Sequence, residues 1–188
     1  MNTKKANFVL LSVIVALVTG CVGTFKEVKP LGSGLPPKDK PAILVLGRIG
    51  IKEARLSRPE REVMFLAFEQ GVAKWCDKNK SLDFRRQYFS TNLPTNSILL
   101  TGVISEIEEG SPDARTWVGM GAGQQRVVGK FAINASDGTK LAAFSARKSY
   151  LGGTGIGGPD MIDIGILVER LGQLVAETTD KWVQGKKL

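Results

Sequence analysis

Hydrophobic and polar positions along the chain mark a succession of short elements. Residues 42–49 (Ala-Ile-Leu-Val-Leu-Gly-Arg-Ile) form an almost unbroken apolar run, the pattern of a buried strand. Ser57-Arg58-Pro59-Glu60 has the spacing of a capping box, with Pro tolerated in the first turn. The helix it opens puts Val63, Met64, Ala67, Phe68, Gly71 and Trp75 on one face and ends in a polar run at 77–80. A weaker strand follows at 82–89. A stronger one lies at 97–107, with Leu99, Val103 and Ile107 on one side and Ile98, Leu100 and Ile104 on the other.

Two more strands, 125–135 and 141–150, flank Ser136-Asp137-Gly138-Thr139, whose Asp-Gly step is a hairpin signature. Phe131, Ile133, Phe144, Ala146 and Tyr150 supply their buried faces. A final helix opens at Pro159 and runs to about Val183, with Ile164, Leu167, Val168, Leu171, Leu174, Val175 and Trp182 at helical spacing. This order predicts a single α+β domain over 42–188. Its largely antiparallel or mixed sheet of about five strands is covered by two helices. Residues 22–41 contain three glycines and four prolines, and read as a tether with no regular element.

The N-terminus changes the picture. Lys4 and Lys5 precede an uncharged apolar stretch from 8 to 18, the length of a signal-peptide core and too short to span a bilayer as an ordinary helix. It ends in Leu17-Val18-Thr19-Gly20-Cys21, which resembles the lipobox of bacterial lipoproteins. The resemblance implies a signal peptide over 1–20, cleavage after Gly20, and acylation of Cys21, with residues 21–41 as a lipid-anchored tether. Several acyl chains suffice for stable anchoring. Val22, where an Asp would mark inner-membrane retention, implies an outer-membrane lipoprotein facing the periplasm. No other window is long and apolar enough to span a membrane.

Charge then narrows the partners. The net charge of +8 becomes +6 without residues 1–20. Residues 24–58 carry Lys26, Lys29, Lys38, Lys40, Arg48, Lys52, Arg55 and Arg58 against Glu27, Asp39 and Glu53, hence nearly all of that excess. Positive charge beside an anchor fits an anionic membrane surface or cell-wall polymer better than nucleic acid, with Lys26, Lys29, Lys38 and Lys40 as the expected contacts. The alternative is that these lysines only keep a linker soluble.

The residue inventory excludes much chemistry. With no histidine there is no Ser-His-Asp triad, no Cys-His dyad and no ordinary zinc site, and two cysteines cannot build a disulfide framework or a Cys₄ centre. Cys76 reads as a small buried hydrophobe, with an intermolecular disulfide or a reactive thiol as the alternative. Gly153-Thr154-Gly155-Ile156-Gly157-Gly158 matches G-x-G-x-x-G. The following parallel strand that would carry a ribose-binding acid is missing, so no nucleotide is expected. Glu106, Glu108, Glu109, Asp160 and Asp163 lie on separate elements and form no recognisable acid–base pair. No metal or cofactor is expected. The long loop from Gly110 to Gly123 carries Trp117, Val118 and Met120 amid glycines, either as a partner contact or as a cover for the core.

Ile98-Leu99-Leu100-Thr101-Gly102-Val103-Ile104, Glu-Gly-Ser, Trp117-Val118-Gly119-Met120-Gly121-Ala122-Gly123 and Gly152-Gly153-Thr154-Gly155 follow one another ahead of a helix ending in Ala-Glu…Trp. This order resembles the bacterial lipoproteins of domain of unknown function 4410, over about residues 42–184. The resemblance implies an envelope lipoprotein and transfers no catalytic residue. The expected function is therefore a non-enzymatic periplasmic binding or scaffolding domain contacting an envelope protein or cell-wall component. The alternatives are a periplasmic enzyme working through carboxylates or lysine, and a subunit of a homo-oligomeric envelope assembly.

Overall fold

The computed structural model describes residues 24–34, 36, 41–87, 93–110, 124–150 and 162–188. Six strands form one mixed sheet: β1 (Thr24–Ser33), β2 (Ile43–Ile51), β3 (Asp83–Arg86), β4 (Ser97–Glu108), β5 (Gln125–Ala135) and β6 (Lys140–Tyr150). Their order is β1-β6-β5-β4-β2-β3. The run β1-β6-β5-β4 is antiparallel, and β4-β2-β3 is parallel. Helix α1 (Arg58–Asn79) connects β2 to β3, and helix α2 (Ile164–Val183) follows β6. The molecule is a single α+β domain.

The capping box forms as the sequence predicts: Ser57 Oγ accepts from Glu60 N–H at 3.5 Å, and the Glu60 carboxylate accepts from Ser57 N–H at 2.6 Å. The buried face of α1 is rotated from the expected one. Phe68, Gly71, Val72 and Cys76 are buried, whereas Val63 is 58% exposed. Apolar residues surround the first turns of α1, so helical spacing alone does not pick the face that meets the sheet. At the hairpin, Gly138 takes φ +87° and Asp137 Oδ1 accepts the Thr139 N–H at 2.8 Å, fixing the turn between β5 and β6. Helix α2 is described from Ile164, with Asp163 capping it through Gly165 N–H at 2.6 Å, and Pro159, the expected opening of the helix, is outside the described residues.

The expected tether is the main departure. Residues 24–33 form β1, an edge strand paired with β6 from Thr24↔Tyr150 to Ser33↔Ala142. Pro30 is tolerated because an edge strand has one unpaired side and the register shifts between Pro30 and Gly32. Beyond the strand, Gly34 N–H donates to Leu141 O at 2.8 Å and its carbonyl accepts from Trp182 Nε1 at 3.3 Å. Among the described residues the sheet thus starts at Thr24, within the stretch expected to be a tether, and it has one more strand than expected. The partner of β1 lies more than a hundred residues away, so no local pattern announces it.

One core holds sheet and helices together. Leu44, Leu46, Ile98, Leu100, Ile104, Phe131, Ile133 and Phe144 face Phe68, Val72, Leu167, Val168, Leu171 and Val175. Phe131 stacks on Phe68 with centroids 5.5 Å apart and lies 5.8 Å from Phe144. Burying side chains of this size contributes roughly 2 kcal/mol each.

Candidate functional site

The strand register gathers many chain ends at one end of the sheet. Tyr150, the last residue of β6, is opposite Thr24 on one side and Gln125 on the other. Glu108 at the end of β4 pairs with Arg126, and Ile51 at the end of β2 pairs with Ile104. The chain leaves the sheet for residues 111–123 and returns from them at this end. Tyr150, where β6 ends, is at this end too. Gln125 fastens the return: buried, it donates from Nε2 to Ile162 O at 2.6 Å and accepts Ile162 N–H at 3.1 Å, in the manner of a backbone pair.

On the helix-covered side of this end lies a group of cations around one carboxylate. Lys26 on β1 and Lys148 on β6 are direct register partners on the same face, so their Cβ atoms stand about 5 Å apart. Glu177 of α2 is bound by Lys26 Nζ at 3.2 Å and by Lys181 Nζ at 2.6 Å. Burial pushes the Glu177 carboxyl up, but Lys181 and Lys26 prevail and hold it below the ordinary carboxyl range. Lys148 is half-buried, and desolvation, reinforced by Lys26 and Arg170, lowers its pKa. Neither Lys148 nor Arg170 makes an ion pair among the described residues.

The opposite face of the sheet carries a compensated ladder. Arg126 binds Glu106 and Glu108, the latter at 2.7 Å, while Glu27 binds Lys29 at 2.9 Å and Arg147 at 3.8 Å. Glu108 stays ionised, its slight burial outweighed by Arg126 and Glu106. Glu69 is the carboxyl raised among the described residues, through burial on α1 against the opposing pull of its partner Arg86 on β3. Each of these acids is taken up by an arginine, an arrangement suited to structure more than to proton transfer. No three Cys, Asp or Glu side chains gather as metal ligands among the described residues.

The sequence-predicted contacts divide in two. Lys26 and Lys29 lie on opposite faces of β1, and both are ion-paired. Cys21, Lys38, Lys40, Trp117, Val118, Met120 and the glycine-rich 153–158 motif lie outside the described residues. Cys76 is buried, and its thiol is pushed up to about 12 by desolvation and then by Asp180, Asp77 and Asp83. Lys148, Arg170 and Glu177 were not singled out in the sequence. Their only signal there is a charged residue at an inward strand or helix position.

Residues 78–154 match the family model described as "Domain of unknown function (DUF4410)", which bears out the family resemblance over that stretch. No curated protein matches the chain. Two solved structures from Paraburkholderia phytofirmans are similar to it. One is a single-residue variant of the PelC dodecamer, at 14% identity over 84% of this chain and 97% of that one, with a TM-score of 0.45. The other is the PelC dodecamer, at 12% identity over 87% of this chain and 100% of that one, with a TM-score of 0.48. No helix among the described residues is long and apolar enough to cross a membrane.

Proposed function

We propose that the chain is an outer-membrane lipoprotein, attached through Cys21, whose periplasmic domain binds or scaffolds another envelope component and catalyses no reaction. The observation that carries this reading is the start of β1 at Thr24, only three residues after Cys21. Three extended residues span about 10 Å, so an acylated Cys21 would hold one end of the sheet close to the headgroups. The ends of the 111–123 segment are at that same sheet end. That position supports a reading in which Trp117, Val118 and Met120 contact a partner seated beside the membrane. A second reading, association with another copy, draws on the face of the sheet that neither described helix covers, where Leu99, Val103 and Ala132 are only half-buried.

The test uses the full-length chain in a didermic host. Wild type is expected to incorporate labelled palmitate and to fractionate with the outer membrane. Cys21→Ser is expected to take up no label and to retain residues 1–20. A photo-crosslinker at position 117 is expected to capture an envelope protein in intact cells. Unlabelled wild type in the soluble periplasm would sink the anchoring, and an empty crosslink at 117 would sink the partner contact.

A further inference from the structure

We propose that Lys148, Arg170 and Lys26 form a binding site for a phosphate-class anion, on the helix-covered face of the sheet beside the point where the chain enters it. The register makes Lys26 and Lys148 cross-strand neighbours on one face, a like-charge pairing that destabilises a sheet when nothing intervenes. The local carboxylate does not resolve it. Glu177 is shared between Lys26 and Lys181, at 3.2 and 2.6 Å, and one negative charge serves four cations once Lys148 and Arg170 are included. Of the other acids on α2, Glu169 is held by Lys74 at 2.8 Å and by Gln173 at 3.2 Å, and the buried Asp180 accepts from Gln184 Nε2 at 3.1 Å.

Lys148 is thus half-buried, lacks an ion pair among the described residues, and faces two other cations. A phosphate supplies what this arrangement lacks, namely negative charge and several acceptor oxygens for two ammonium groups and a guanidinium. Partial burial favours such a ligand, because a hydrogen bond to a charged group gains strength as water is excluded. The anion could come from a phospholipid headgroup or from free phosphate. Lys26 and Lys148 are two residues from the Thr24↔Tyr150 rung, within reach of a headgroup if Cys21 is acylated. The lipid source rests on the anchored reading, but the site does not.

Every described element lies within residues 24–188, so a chain beginning at Val22 retains all of them and carries no acyl group. Inorganic phosphate is expected to raise its melting temperature beyond chloride of matched ionic strength. Lys148→Met and Arg170→Gln are each expected to weaken phosphate affinity by about tenfold or more, the factor carried by one charge-assisted hydrogen bond. Lys148→Met removes the like-charge pair, so in phosphate-free, low-salt buffer it is expected to melt above wild type. That result cannot come from a misfolded variant.

Vesicles containing phosphatidylglycerol separate the two sources. Cosedimentation that depends on Lys148 and Arg170 assigns a lipid headgroup, and a phosphate response without it assigns free phosphate. The proposal is overturned if phosphate acts no differently from chloride and the vesicles do not bind. It is equally overturned if both variants respond to phosphate as wild type does.

Discussion

Glu177 is drawn two ways: its burial against the sheet favours the neutral form, while Lys181 and Lys26 favour the carboxylate and prevail. A carboxyl depressed in the folded state contributes stability above its unfolded pKa, about 4.3, and that contribution is lost as pH falls through the folded value. Glu177→Gln is therefore expected to cost about 1.5 kcal/mol at pH 7, the low end of the range for hydrogen bonds to charged groups, because both lysine partners are exposed. The gap to wild type is expected to close below about pH 4. Urea titrations of both chains at the two pH values measure this directly, and a gap that persists in acid would mean that packing, not charge, holds Glu177. Cys76 is the contrasting case. Its titration near 12 leaves a neutral thiol throughout the physiological range, so it serves as packing beside Phe68 and Val72. The chain pattern conveys that role, since residues 68, 72 and 76 recur at four-residue intervals. It does not convey the setting of Glu177, because Lys26 and Glu177 meet across most of the chain length.

At the scale of elements, the two helices touch backbone to backbone. A Cβ on Gly71 would overlap the Glu169 carbonyl oxygen, and one on Gly172 would overlap that of Phe68. Alanine gains about 1 kcal/mol of intrinsic helix propensity at either position. The clash is with main chain, however, and no rotamer change relieves it, so the helices must separate and loosen Phe68, Val72 and Leu171 beneath them. Gly71→Ala and Gly172→Ala are each expected to lose about 2 kcal/mol or more in chemical denaturation. The double variant is expected to lose less than the sum, since one displacement accommodates both methyl groups. A stabilised Gly71→Ala would refute the contact.

The elements themselves were largely legible in the sequence. The capping box at Ser57, the Asp137-Gly138 hairpin and the strands β2, β4, β5 and β6 rest on local spacing, and local spacing is what a sequence displays. What escaped it depends on distant partners: β1, whose glycine and proline read as part of a tether, and the rotation of α1 that leaves Val63 and Leu66 outside. The candidate site was legible only in part. Its cations could be counted in advance, but the pairing of Lys26 with Lys148 exists only through the β1–β6 register.

For the whole molecule, if Cys21 is acylated as proposed, the position of β1 converts that attachment into an orientation. The end of the sheet that begins at Thr24 also holds the starts of both helices, because α1 follows the end of β2 and Ile162 ahead of α2 is tied to Gln125. Three of the four exposed large apolar side chains among the described residues, Val63, Leu66 and Ile166, lie in the first three turns of those helices. Aliphatic side chains at that end suit the headgroup boundary of a bilayer. The hairpin at Asp137-Gly138 and the C-terminal residues beyond Val183 lie at the far end, separated by eleven-residue strands that span about 35 Å. If the lipidated chain is held as proposed, a fluorophore at position 166 is expected to be quenched by spin-labelled lipid headgroups in reconstituted vesicles, and one at position 137 is not. A flexible tether would let both ends sample the surface and quench both probes alike. Inserting about twenty Gly/Ser residues between Cys21 and Thr24 is accordingly expected to erase the difference without releasing the protein from the membrane, because the insertion lengthens the reach and leaves the acyl chains untouched.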